Sequence, residues 1–124
     1  MNGRYILDTN AVIALLKGDM GLVDLLKQAT WVGVPLIVEL EFLSFGGLAA
    51  SDIALFEAFK RRVSVLGLDP ADVETKLEII RLRRTFGIKM PDAMIAACAI
   101  RQQATLLSND AMFNRVVGLS VHAF

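Results

Sequence analysis

Short apolar runs alternate with longer helix-like stretches along the whole chain, and this restricts the fold more than any other feature. The runs occupy residues 4–7, 30–34, 64–67, 105–107 and, more weakly marked, 120–122. Helical patterns cover residues 11–17, 21–29, 36–45, 51–62, a segment opening at Asp69-Pro70, and Pro91 to about Gln103. Strands separated by helices cannot pair as hairpins; they build βαβ units and a parallel sheet. Such a sheet is covered on both faces, which is why its strands read as apolar throughout rather than alternating. The expected fold is therefore α/β, a three-layer α/β/α sandwich around a central, mainly parallel sheet of four to five strands.

Several local signals set the expected boundaries. Gly46-Gly47 breaks the third helix, and Ser51 is the expected N-cap of the next. In "DPADVETKLEIIRLRRTFG", Asp69 is placed to cap, Pro70 suits the first helical position, and Asp72 and Glu74 complement the positive end of the helix dipole. Arg81, Arg83 and Arg84 lie towards its negative end, and Gly87 stops it. No repeat, linker or composition shift divides the chain, so residues 1–124 are expected to form one domain.

Composition narrows the class further. At 55% hydrophobic and 21% charged, the chain can bury a core and is not disordered. Thirteen basic and thirteen acidic residues cancel, so no global field attracts nucleic acid, although a local patch can. The single cysteine, Cys98, excludes an intramolecular disulfide and a thiolate metal cage; it is expected as a small buried apolar residue. There is no signal-peptide pattern, and no apolar run approaches the ~20 residues of a membrane span. A cytoplasmic protein with no membrane attachment is expected. The hydrophobicity exceeds what a small parallel sheet explains, which points to apolar surface covered by another chain.

Four acids fall where strands hand over to helices. Asp8 ends "RYIL" and is followed by Thr9 and Asn10; Glu41 lies in "VELEFLSF"; Asp92 opens "PDAMIAACAI"; Asp110 follows "TLL" in "SNDAMF". In an open parallel sheet, ligands bind beyond the carboxyl ends of the strands, so acids from these separate segments can share one site. Taken singly, Asp8 and Asp110 read as helix caps and Asp92 as a dipole partner. Glu41 has less excuse, with apolar Leu40, Phe42 and Leu43 around it; Glu39 is its rival as the second acid. Four carboxylates crowded together without histidine or cysteine would repel one another. A hard cation removes that cost, and oxygen-only ligation favours Mg²⁺ or Mn²⁺ over Zn²⁺. Thr9, Asn10, Ser108 and Asn109 are the polar residues available to hold these carboxylates and their waters.

The stretches "ILDTNAVIALL", "ELEFLSF", "MPDAMIAA" and "LLSNDAMF" resemble, in order and spacing, the PIN-domain family, and in particular its small VapC-type toxins. The resemblance spans essentially the whole chain. It implies that Asp8, Glu41, Asp92 and Asp110 form an acidic metal-site quartet, with Ser108 at the small-hydroxyl position before the last acid. It further implies metal-dependent endonucleolytic cleavage of RNA, a homodimer, and an inhibitory antitoxin partner. The extra acid, Glu39, is a modest departure from the family pattern.

Other classes compete on the same residues. Dehalogenase-like phosphatases need a second acid two residues after the first, where this chain has Asn10; a phosphorelay receiver needs a late lysine, and none follows Lys89. A non-catalytic interaction module fits the apolar surplus but leaves the acid set unexplained. For holding RNA, residues 76–89 carry Lys76, Arg81, Arg83, Arg84 and Lys89, and Lys60-Arg61-Arg62 form a second cluster. These also suit a solvated helix face with dipole-complementing ends. Lys89, three residues before Asp92, is the best candidate for a phosphate contact. Trp31 and His122 are expected to pack.

Overall fold

A computed structural model describes residues 3–124. The elements follow in the order β1 (Arg4–Leu7), α1 (Thr9–Leu16), α2 (Met20–Lys27), β2 (Trp31–Pro35), α3 (Leu36–Leu43), α4 (Ala50–Lys60), β3 (Ser64–Leu66), α5 (Val73–Phe86), α6 (Met90–Arg101), β4 (Thr105–Leu107), a 3-10 helix (Ala111–Arg115) and β5 (Val121–His122). The five strands form one sheet in the order β3-β2-β1-β4-β5, and every pair is parallel. The chain steps outward from β1 to β3, then restarts on the other side of β1. Right-handed crossovers therefore place α1–α4 on one face and α5–α6 on the other, giving the α/β/α layering. A receiver has the order 2-1-3-4-5, so this topology excludes that class.

Burial explains the apolar runs. Tyr5, Ile6 and Leu7 of β1 and all of β4 are buried, since both strands are central and covered twice. The edge strands β3 and β5 are only half-covered and have weaker sequence signatures. Within β2, Gly33 sits opposite Ile6, and a Cβ there would lie 2.5 Å from the Trp31 ring and 2.8 Å from Ile6 Cδ1. Only glycine lets Trp31 fold over the strand, where the Arg4 guanidinium stacks 4.3 Å from its ring centroid. Gly33→Ala should cost about 1–3 kcal/mol through overpacking, read as a lower urea midpoint; a change within error would refute this close approach.

Several helix starts differ from expectation. Helix α1 begins at Thr9, because Asp8 caps it. Ser51 is not the cap of α4; that helix starts at Ala50, and the Asp52 carboxylate accepts the Ala49 amide at 2.9 Å. Helix α5 opens at Val73 rather than near Pro70. Asp69 spends its carboxylate on the Ala71 amide, 2.8 Å away in a tight turn, whereas Asp72 accepts both the amide and the hydroxyl of Thr75 (3.0 and 2.7 Å). The expected cap, Asp69, is thus replaced by Asp72, whose threonine three residues on completes the cap. The Thr75 hydroxyl holds the Asp72 carboxyl below its usual range. Gly87 ends α5 as expected, in the left-handed region at φ 64°.

Cys98 is not fully buried. It lines a cavity of about 290 Å³ between the start of α3, the end of β3, α5 and α6, and desolvation pushes its thiol up to about 11. Trp31 packs half-buried against the core, as expected, and His122 is half-buried in the edge strand β5. Among the described residues, no helix is long and apolar enough to cross a membrane.

Candidate active site

The order of strands reverses at β1, and ligand sites of open α/β sheets form at such a switch, beyond the carboxyl ends of the strands. Asp8 stands there. Its amide donates to Leu107 O at 3.1 Å, continuing the β1–β4 ladder one residue past the strand, and only 7% of the residue is exposed. Its carboxylate is held from three directions. Oδ1 accepts the Thr9 amide at 2.8 Å, and Oδ2 accepts the Ser108 hydroxyl at 2.7 Å and Asn10 Nδ2 at 3.3 Å. Burial raises the Asp8 carboxyl above its usual value; the bonds from Ser108, Thr9 and Asn10 oppose the shift, and the charge of Asp110 adds to it.

The helices flanking α3 decide which of its two acids joins this edge. Thr9, the first residue of α1, donates its hydroxyl to Glu41 Oε1 at 2.8 Å, so Glu41 lies one side chain from Asp8. Glu39 instead turns towards α4, where its carboxylate pairs with Lys60 Nζ at 2.9 Å. Glu39 thus carries a structural ion pair, while Glu41 stands with the other acids.

Ser108, buried at the end of β4, joins the first acid to the last. Its hydroxyl donates to Asp8 and accepts the Asp110 amide at 3.1 Å. Asp110 in turn caps the 3-10 helix, taking the Met112 amide on Oδ1 at 3.0 Å. Asn10 Oδ1 accepts the Asn109 amide at 3.2 Å, and Asn109 Oδ1 accepts the Phe124 amide at 2.7 Å. The four polar residues singled out in the sequence therefore lace this edge together. Asp92 sits in the first turn of α6, and its side chain makes no hydrogen bond or ion pair among the described residues. Desolvation raises its carboxyl, and so do the charges of Asp8, Asp110 and Glu41, while Lys89 opposes them. Asp92 thus senses all three other acids and the one lysine expected near it.

The donors suit a hard divalent cation. They are oxygen only; Asp92 is uncommitted, and Glu41 and Asp110 each keep one carboxylate oxygen free of hydrogen bonds among the described residues. Among those residues, no three Asp, Glu, His or Cys side chains are drawn into a closed ion cage. Arg115, which lies at the end of the 3-10 helix, reaches back to α5. No periodicity or cap pattern marks it.

Fold and site together define an α/β domain with an acidic, oxygen-rich face at its topological switch point. The PIN-domain family model matches residues 5–119, and the chain belongs to that family. No curated protein sequence matches it significantly. Similar solved structures include VapBC2 from Rickettsia felis bound to a DNA fragment from their promoter, with TM-score 0.82, 21% identity and 98% of each chain covered. VapBC-1 from nontypeable Haemophilus influenzae aligns with TM-score 0.81 at 23% identity, covering 97% of each chain. DNA-bound VapBC from Salmonella typhimurium gives 0.77 at 21% identity, again over 97% of each. At these identities the likeness is one of fold.

Proposed function

We propose that this protein is a metal-dependent endoribonuclease acting as the toxin of a toxin–antitoxin pair, with Asp8, Glu41, Asp92 and Asp110 as its catalytic and metal-holding residues. The observation that carries this reading is the hydrogen-bonded edge at the sheet's switch point, where Ser108 bridges Asp8 and the Asp110 amide and Thr9 bonds Glu41, with Asp92 in the first turn of α6. Asp8, Glu41, Asp92 and Asp110 would hold a Mg²⁺ or Mn²⁺ ion, which would supply charge stabilisation at a phosphodiester and activation of a water. The chain's own residues prepare that site. Ser108, Thr9 and Asn10 fix the Asp8 carboxylate, Thr9 orients Glu41, and Asn109 steadies the segment before Asp110. Lys89, exposed at the N-cap of α6 beside Asp92, is the candidate contact for a phosphate of the RNA. Purified protein should cut single-stranded RNA with Mg²⁺ or Mn²⁺, stop in EDTA, and recover on adding back the metal. Equal cleavage in EDTA would sink the mechanism.

The VapBC complexes among the structural neighbours support a cognate antitoxin as partner, and RNA cleavage with such a partner implies a cytoplasmic location. A homodimer is supported by exposed apolar residues. Leu36 and Leu40 on α3 border the 290 Å³ cavity, and Val73, Leu77 and Ile80 share one uncovered side of α5. Helix α1, by contrast, has no exposed large apolar residue. A stable dimer would bury at least about 1,200 Å² in total. Light scattering at tens of micromolar should give twice the chain mass, and Leu40→Glu or Leu77→Glu should shift it towards monomer; a parent that is monomeric throughout removes the homodimer.

A further inference from the structure

Two of the acids sit on elements that are not neighbours in sequence. Asp92 follows the α5–α6 turn, and Asp110 caps the 3-10 helix beyond β4. One side chain ties these elements together. Arg115, the last residue of the 3-10 helix, donates from Nη2 to Phe86 O at 3.0 Å. Phe86 ends α5, so its carbonyl has no partner within the helix and lies at the negative end of the dipole. Arg83 holds the same turn from within α5, its Nε donating to Ile88 O at 3.4 Å, and the Gly87 amide closes onto Arg83 O at 3.0 Å. The turn from Phe86 to Lys89 is thereby gripped from both sides immediately before α6 begins. Neither arginine belongs to the acidic set, and neither bonds to a carboxylate among the described residues.

We propose that Arg115 is a positioning residue: through its bond to Phe86 O it fixes the start of α6 against the 3-10 helix, and so holds Asp92 and Asp110 at one spacing. This rests on the metal site proposed above. The sign of the effect separates positioning from plain electrostatics. Removing a positive charge near an acidic site by itself strengthens binding of a dication, whereas loss of the latch weakens it. A group bonded directly to a metal ligand contributes about ten- to a hundredfold in affinity, and Arg115, which acts through the backbone, belongs at the low end of that range.

The test is Mn²⁺ calorimetry on the full chain, comparing the parent with Arg115→Ala and Arg115→Lys, alongside amide exchange on the metal-free proteins. In Arg115→Ala the affinity should fall about tenfold, and the Gly87 and Met112 amides should both exchange faster. A lysine at this position offers the single donor that the carbonyl needs, so Arg115→Lys should restore both readouts. Unchanged or tighter Mn²⁺ binding in Arg115→Ala overturns the proposal, as does failure of the lysine variant to rescue. Exchange that quickens at Met112 but not at Gly87 also overturns it, because the two elements would then not be coupled. If the parent itself binds no Mn²⁺, the metal site fails instead, and the exchange comparison still decides whether Arg115 couples the two elements.

Discussion

Asp8→Asn should lower metal-dependent RNA cleavage by on the order of a hundredfold or more while leaving the fold intact. The substitution keeps the shape of the side chain and removes its charge. Asn retains an oxygen for the Thr9 amide, and the Ser108 hydroxyl can rotate to accept from its new amide group, so only the longer bond from Asn10, at 3.3 Å, is lost. What disappears is the anion most deeply set at the switch point. The metal-free protein should be no less stable than the parent at pH 7. Burial raises the Asp8 carboxyl, so the ionised form is disfavoured in the folded state. That penalty is fully present above the raised folded value and is relieved as pH falls towards the unfolded value of 3.8. The gap in urea midpoint between variant and parent, measured in EDTA, should therefore narrow as the solution is acidified. A variant that cuts RNA like the parent removes Asp8 from the mechanism. A variant that is unfolded at pH 7 shows instead that the carboxylate is needed structurally.

Phe56→Ala should destabilise the protein by about 3–5 kcal/mol, a large share of the ~5–15 kcal/mol that holds a domain of this size. Phe56 is completely buried on α4, and its ring lies 4.7 Å from that of Phe42 on α3, centroid to centroid. Truncation loses the buried ring and leaves a cavity that the helices can close only in part. The consequence reaches the site, because Phe42 adjoins Glu41 on the helix that Phe56 supports. Activity per folded molecule should fall as well as stability. Equilibrium urea denaturation measures the first effect; a loss under about 1 kcal/mol would show that α4 is not anchored through this ring.

Much of this was legible in the sequence. The unbroken apolar character of residues 5–7 and 105–107 required strands covered on both faces, hence a parallel sheet with helices on each side. An acid directly after such a strand is a cap by local chemistry, and Asp8 is one. Its neighbours Thr9, Asn10 and Ser108 announced themselves as the polar residues at the same sheet edge. The strands and the Asp8 cap depend on periodicity and on bonds between near neighbours, which a sequence displays directly; Ser108, 100 residues from Asp8, was marked only by following a strand.

Tertiary structure alone decided the rest. Glu39 and Glu41 are two residues apart, so they point about 200° apart around the axis of α3. The sequence could say that they face different ways, but not which way holds Thr9 and which holds Lys60. Asp69 read as the cap of α5, but the turn at Pro70 occupies its carboxylate and Asp72 caps the helix instead. Arg115 had no local signal at all, because the carbonyl it bonds lies 29 residues away along the chain. Periodicity determines which residues share a face of an element; what that face meets depends on how the elements pack, and only the folded chain supplies that partner.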